Sequence, residues 1–261
     1  MKIKNNYIVE TALMTHGVAD LLKMEILSLW GNNDSDFVWL DKGNLKVGKL
    51  YEFLKFKNNN SIEHRVNSEN YEEAKKNKLT AALTASGTLC AGEELNVEYA
   101  VSCSISGVSP FENNIITPDL HKIVESDVTL IATSFKDTVN RKESIKWLRK
   151  SGVSIFGRES EFSTGFMFNL EPVQLHAIYQ KNINIWHKPQ LLLNEVSHLS
   201  RFENLELLKE IIRAGIEARN NGEYFHPAVN NKLAELTDAR SAIIQINSLL
   251  DNTKWAKEIT S

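Results

Sequence analysis

Cysteine is scarce in this chain. Only Cys90 and Cys103 occur, and no C-x-x-C spacing joins them. That argues against a zinc cluster or a disulfide framework. Both lie among small or apolar residues and read as reduced, buried thiols. Excess positive charge is also lacking. The net charge is −3 and the isoelectric point about 6.2. That argues against broad nucleic-acid binding, which needs a basic face, but leaves room for a local anion pocket. Long apolar runs are missing too. Glu10 and His16 interrupt the first apolar stretch, so no signal-like core follows the basic N-terminus. No run approaches membrane-spanning length. The expectation is a cytoplasmic protein with no membrane partner. No segment concentrates Pro, Gly and Ser as a linker, and no internal repeat is visible. One domain over residues 1–261 is the simplest division.

What is present suits a sizeable core. Apolar residues make up 42% of the 261 residues and charged residues 24%, the balance of an ordinary globule. Apolar patterning predicts strands at 7–14, 97–105, 127–134, 153–156 and 190–193. Residues 36–54 read as strand and short helix. Helices are expected at 18–30, 79–91, 120–125, 143–151, 175–181, 203–221, 226–236 and 238–256. The run K-N-N-N at 57–60 reads as a surface loop. Thr117 and Pro118 read as the cap and first turn of the helix that follows. The β-α-β-α order predicts an α/β fold: a mostly parallel central sheet flanked by helices. In such sheets chemistry gathers at the carboxyl ends of strands. Glu10, the 102–110 loop and Lys136 should then share one rim.

Lys136 follows the strongly β segment V-T-L-I-A-T-S-F. Desolvation at a strand end would lower its pKa and free a nucleophilic amine. By position alone the commoner reading is an exposed loop lysine paired with Asp137. Glu10 sits in an apolar segment, where burial would raise its pKa and suit it to proton transfer. A solvent-facing carboxylate is the alternative. Asp119 reads as a cap or dipole partner, His16 as a turn residue, and His64 and Arg65 as solvated loop residues. The loop Ser106 to Ser109 could offer backbone N–H groups to an anion.

Taken in order, these segments resemble the pseudouridine-5'-phosphate glycosidase family along nearly the whole chain. E-T-A-L-M-T-H-G at 10–17 is similar to the family's E-S-T-x-I-x-H-G. I-I-T-P-D-L at 115–120, then V-T-L-I-A-T-S-F-K ending at Lys136, is similar to D-I-S-A-D-L and V-x-x-V-x-A-G-A-K. W-L-R-K-S-G-V-S-I-F-G at 147–157 and H-P-A-V-N-N-K-L-A-E-L-T at 226–237 follow in the family's order. The resemblance implies cleavage or formation of a C–C glycosidic bond between ribose 5-phosphate and uracil or a related heterocycle. It implies Lys136 as the imine-forming nucleophile and Glu10 as the proton carrier. Arg65, Ala85, Thr117, Pro118, Asp119 and His16 would bind substrate, and Gln245 falls near an Asn amide that reads the base. It also implies a homotrimer.

The departures are as informative. The family's glycine-rich loop becomes S-C-S-I-S-G-V-S-P at 102–110, and a lysine becomes Arg65, which can bind phosphate in bidentate fashion. The P-x-P-x-N after the first His-Gly becomes V-A-D-L-L. The aspartate that holds manganese in the family corresponds to Ile115, which puts the metal in doubt, and Asn114 beside it is a poor substitute. The pattern suits a divergent C-glycosidase or C-glycoside synthase retuned to another heterocycle. The alternative is a non-catalytic descendant that binds a sugar phosphate or a protein.

Overall fold

The computed structural model describes residues 4–18, 21, 23–60, 62, 64–111, 114–181 and 190–261, without the side chains of residues 16 and 17. The strands are β1 (Tyr7–Val9), β2 (Phe37–Asp41), β3 (Asn44–Gly48), β4 (His64–Val66), β5 (Ala81–Leu83), β6 (Tyr99–Val101), β7 (Thr129–Ala132), β8 (Ser154–Gly157), β9 (Phe162–Ser163), β10 (Val173–Gln174), β11 (Ala177–Ile178) and β12 (Gln190–Leu193). The α-helices are α1 (Lys23–Trp30), α2 (Leu50–Asn59), α3 (Tyr71–Lys76), α4 (Ala85–Leu95), α5 (Pro118–Glu125), α6 (Arg141–Lys150), α7 (Leu205–Asn220), α8 (Phe225–Leu236) and α9 (Arg240–Thr260).

Among the described residues one large sheet runs β11-β8-β12-β7-β6-β1-β2-β5-β4, with β3 paired to β2. It is mostly parallel, as expected; the antiparallel pairs are β2 with β3 and β2 with β5. The register creates the site. Val9, the last residue of β1, pairs with Phe37, the first of β2, so β2 continues the sheet beyond the end of β1. Strand β5 then runs back along β2. Its end meets the end of β1 head-on: Thr11 N and Ala12 N both donate to Leu83 O. Thr11 Oγ1 donates to Val38 O at 2.8 Å and accepts from Leu83 N at 3.1 Å. The carboxyl ends of β1, β6 and β7 thus face those of β4 and β5 across one hollow.

Helix α9 lies against β1, β6 and β7. Ala242, Ile246, Leu249, Asn252, Thr253 and Ala256 are fully buried on it, as expected of a helix packed on several sides. Asn252 is its polar anchor. Its Nδ2 donates to Ser102 O at 2.8 Å and Thr133 Oγ1 at 2.9 Å, and its Oδ1 accepts from Asn194 Nδ2 at 3.0 Å. A buried amide that fully satisfied fixes the helix against the strand ends.

Several sequence expectations change. The first strand stops at Val9, and Leu13–Gly17 forms a single π-helical turn. Helix α1 begins at Lys23 rather than residue 18. The Asn-rich stretch 57–59 is the exposed last turn of α2, whose Leu50, Phe53 and Leu54 are buried. The expected 79–91 helix divides into β5 and α4, because Thr84 caps a new helix with its side chain accepting from Gly87 N. Gly87 is needed there: a Cβ would lie 2.3 Å from Val66 O. The expected 175–181 helix is instead edge strand, β11 pairing with β8. The approach at 186–189 to β12 lies outside the described residues. Cys103 is buried and Cys90 half-buried, and both are free thiols. Among the described residues, no helix is long and apolar enough to cross a membrane.

Candidate active site

Glu10 leaves β1 directly into the hollow. Its backbone N donates to Val101 O at 2.9 Å, and its Oε1 accepts from Cys103 N at 2.7 Å. It is only 5% exposed. Burial pushes its carboxyl up to about 7, against the opposing pull of the Cys103 N–H, Lys136 and Arg65. Lys136 emerges past the end of β7, two strands along the sheet from β1. An isolated bridge pairs Phe135 with Ile105, and Lys136 N donates to Ile105 O at 2.9 Å. Burial first, then the positive charge of Arg65, lowers its amine to about 8, while Asp119 and Glu10 resist that fall.

One cavity of about 270 Å³ brings the sequence-predicted residues together. Glu10, Lys136, Arg65 and Asp119 supply its charges. Ala85, Thr117, Pro118 and Gln245 line it as well. His16 belongs to the π-helical turn, and its side chain lies outside the described residues. A wider cleft of about 700 Å³ elsewhere holds Arg158, Glu195, Asn247 and Lys254. It contains none of the predicted residues, so the smaller cavity, where they converge, is the candidate site.

Asp119 lies in the first turn of α5, but its carboxylate bonds reach other segments rather than capping that helix. Its carboxylate accepts from Ser86 N at 3.1 Å, Ser106 N at 2.9 Å and Ser106 Oγ at 2.6 Å. It therefore ties the start of α4 and the 102–110 loop to α5. Asp137 does not serve Lys136 as the sequence suggested. Its carboxylate accepts from Phe166 N and Met167 N, each at 2.8 Å. Arg65 is not a solvated loop residue either. It sits on β4 at the cavity wall, its Nε is buried without a partner, and burial lowers its pKa from the ordinary value. The 106–109 loop offers few free N–H groups. Ser106 N goes to Asp119, Val108 N to Ser144 Oγ at 2.8 Å and Ser109 N to Ile115 O at 3.0 Å.

Sequence reasoning missed His226 and Asn230, which also line the cavity. They lie one turn apart on α8 and so share a face. That spacing was readable in H-P-A-V-N-N. Burial, then Lys136 and Arg65, hold the His226 imidazole well below its ordinary value and so neutral at pH 7.

The manganese expected from the resemblance meets a poor donor set. Ile115 at the metal position is a hydrocarbon, 55% exposed. Among the described residues no group of three His, Cys, Asp or Glu side chains is placed to hold a metal ion. The residues present do not fit that ion at that position.

No protein-family model matches the chain. A pseudouridine-5'-phosphate glycosidase of Kosmotoga olearia is 21% identical over 197 residues, covering 70% of this chain and 68% of that protein. An indigoidine synthase A-like protein of Thermotoga maritima superposes with a TM-score of 0.79 at 19% identity, over 97% of this chain and 91% of that one. The prealnumycin C-glycosynthase AlnA, solved in complex with ribulose 5-phosphate, gives 0.74 at 16% identity, over 97% and 90%. The fold is that of these proteins. The chain shares the fold of the two solved proteins and is similar, at low identity, to a pseudouridine-5'-phosphate glycosidase.

Proposed function

We propose that this chain makes or breaks a C–C glycosidic bond between a pentose 5-phosphate and a nucleobase-like heterocycle, through an imine on Lys136. The observation that carries the reading is the pair itself. An amine lowered to about 8 and a carboxyl raised to about 7 line one cavity beside a buried arginine. Near pH 7 roughly a tenth of such an amine is neutral and about half of such a carboxyl is protonated, so each form the chemistry needs is populated. The pentose phosphate bound to AlnA supports the choice of sugar.

In the synthetic direction the neutral Lys136 amine attacks C1 of the open-chain aldehyde. The carbinolamine takes a proton from Glu10 on its hydroxyl and loses water, leaving a protonated imine. That cation withdraws electrons from C1. A nucleophilic ring carbon of the heterocycle then forms the C–C bond, and its proton leaves to ionised Glu10. The 4-hydroxyl of the sugar closes on C1 as the C1–N bond breaks, its proton passing to the departing Lys136 amine, which frees the cyclic C-glycoside and restores the lysine. In cleavage the same steps run backwards, with the bond pair returning to the heterocycle as Glu10 protonates its carbon. Oxocarbenium departure is poor when the leaving atom is carbon; the imine supplies the missing electron sink. No step requires a metal.

Borohydride trapping tests this. Reduction in the presence of ribose 5-phosphate should add one pentose phosphate to Lys136, located by peptide mass, and none to Lys136→Ala. Absence of an adduct with every pentose phosphate tried, in a protein that those sugars still stabilise against heat, would replace the enzyme with a sugar-phosphate binder.

A further inference from the structure

The turn between β9 and β10 forms an apolar wall beside Lys136. Phe166, Met167 and Phe168 are buried, and with Lys136 they line a recess of about 30 Å³. That volume holds no more than a water or two. The turn is clamped at three points. At its start Glu195 accepts from Thr164 N at 2.7 Å and Thr164 Oγ1 at 2.6 Å, and pairs with Arg201 at 3.2 Å. At its far end Phe202 N donates to Met167 O at 2.7 Å, and Phe168 bridges to Phe202. In the middle stands Asp137. Its two oxygens each take one backbone N–H of the wall, from Phe166 and from Met167. Asp137 follows Lys136 directly in the chain, so the middle clamp and the amine share one strand end.

The clamp is closely fitted. Gly165 lies at φ +120°, and a Cβ there would lie 2.2 Å from Phe168 O and 3.2 Å from Asp137 Oδ1. Glycine lets the turn fold this tightly over the carboxylate. Burial raises the Asp137 carboxyl to about 6, against the pull of the two N–H donors, Arg141 and Arg201. It is therefore mostly ionised at pH 7 and accepts at both oxygens. Its charge alone would act on Lys136 in the opposite sense to burial, because a nearby anion favours the charged amine. Any help that Asp137 gives towards a neutral amine must come through what it holds in place.

We propose that Asp137 is a positioning residue for Lys136: by fixing the turn 164–168 it keeps the apolar wall closed on the amine and excludes water from it. The use of that amine as an imine nucleophile rests on the reading above; the wall itself does not. The other titratable groups facing Lys136 are Glu10 beyond β1, Arg65 on β4, Cys103 after β6, Asp119 on α5 and His226 on α8. Arg141, Arg201 and Glu195 face the clamp. The variants below leave all of these residues unchanged.

The test reads the amine directly in the full chain. Lysines labelled with carbon-13 at Cε are titrated by NMR, and the Lys136 resonance is the one missing from Lys136→Met. The wild-type midpoint should lie near 8. Asp137→Ala should raise it by about one unit or more as water reaches the amine. Asp137→Asn, which keeps one accepting oxygen, should fall between. Loss of the carboxylate charge alone would lower the midpoint instead. At pH 7 a rise of one unit is about a tenfold loss of neutral amine. Borohydride labelling with ribose 5-phosphate should therefore slow about tenfold in Asp137→Ala at pH 7 and return nearly to the wild-type rate at pH 10. A midpoint that stays near 8 or falls in both variants would overturn the proposal. So would a wild-type midpoint near 10.5, which leaves the wall without effect. If Asp137→Ala does not fold, the near-isosteric Asp137→Asn decides by the same measure. If the midpoint rises in the variants while no pentose phosphate labels wild-type Lys136, the wall stands and the imine reading falls.

Discussion

Lys136→Met should make this protein more stable while removing its chemistry. The fall of the amine from an ordinary 10.5 to about 8 corresponds to about 3 kcal/mol against the charged form, at ~1.4 kcal/mol per pKa unit. At pH 7 the lysine is mostly charged, so folding bears nearly all of that. Methionine keeps much of the side chain's length and removes the charge. The attraction to Glu10 and Asp119 is already contained in that net fall, and the imperfect fit of methionine in the lysine's place offsets part of the gain. The net stabilisation expected is about 1–3 kcal/mol, or a Tm rise of roughly 3–10 °C for a chain of this size. The pH dependence gives the sharper test. A depressed folded pKa means the wild type loses stability as pH falls through about 8 and recovers it towards 10.5. The advantage of Lys136→Met should therefore be full at pH 6.5 and reduced to about a quarter at pH 10. Thermal and urea melts at both pH values would measure it. No stabilisation at pH 6.5, or the same stabilisation at pH 10, would refute the claim that Lys136 is held desolvated.

Glu10 carries the opposite sign. Its folded pKa is raised from 4.5 to about 7, so the stability present below 4.5 is lost as pH rises through about 7, and Glu10→Gln should stabilise the fold above that point. Labelling of Lys136 should follow a bell centred between about 7 and 8, because the amine must be neutral and the carboxyl protonated. Glu10→Gln should slow labelling by ~10²–10⁴ and flatten the alkaline limb. Asp119→Asn replaces an acceptor of three hydrogen bonds by an amide that can accept at one oxygen only. A loss of about 1–3 kcal/mol is expected in urea unfolding. Chelators or added manganese should leave the labelling rate unchanged, since Ile115 supplies no donor.

Much of the frame was legible because it is written in long apolar patterns. The buried strand Leu191 to Leu193, the helices from residue 205 onward and the strand leading to Lys136 all declare themselves by period and composition. Short elements do not. Ala81-Ala82-Leu83 is three residues of small side chains, too brief for a period to separate from the helix that follows. Arg65 shows a deeper limit. Its neighbours His64, Asn67 and Glu69 are polar, so local composition says solvent. It faces the cavity because β4 pairs with β5 at the sheet's edge, with His64 exposed and Val66 buried. That is a fact of register, and register is set by distant residues. The meeting of Arg65 and Thr138 on one cavity wall was out of reach for the same reason, since only the fold brings them together.

The serine-rich loop at 102–110 is used as a brace rather than as an anion cradle. A loop that binds an anion through bare backbone must leave its N–H groups free. Here Ser106 N, Val108 N and Ser109 N are all used internally, by Asp119, Ser144 and Ile115. Gly107 is the one glycine of this loop. A Cβ there would lie 2.3 Å from Ser144 Oγ and 2.9 Å from Val139 Cγ2, so glycine is needed for packing against the start of α6 and the turn before it. The loop has become a rigid brace, held from Asp119 on one side and Ser144 on the other. That brace sets Cys103 N against the Glu10 carboxyl and Ile105 O against Lys136 N, so the loop between them positions the carboxyl and the amine before anything binds.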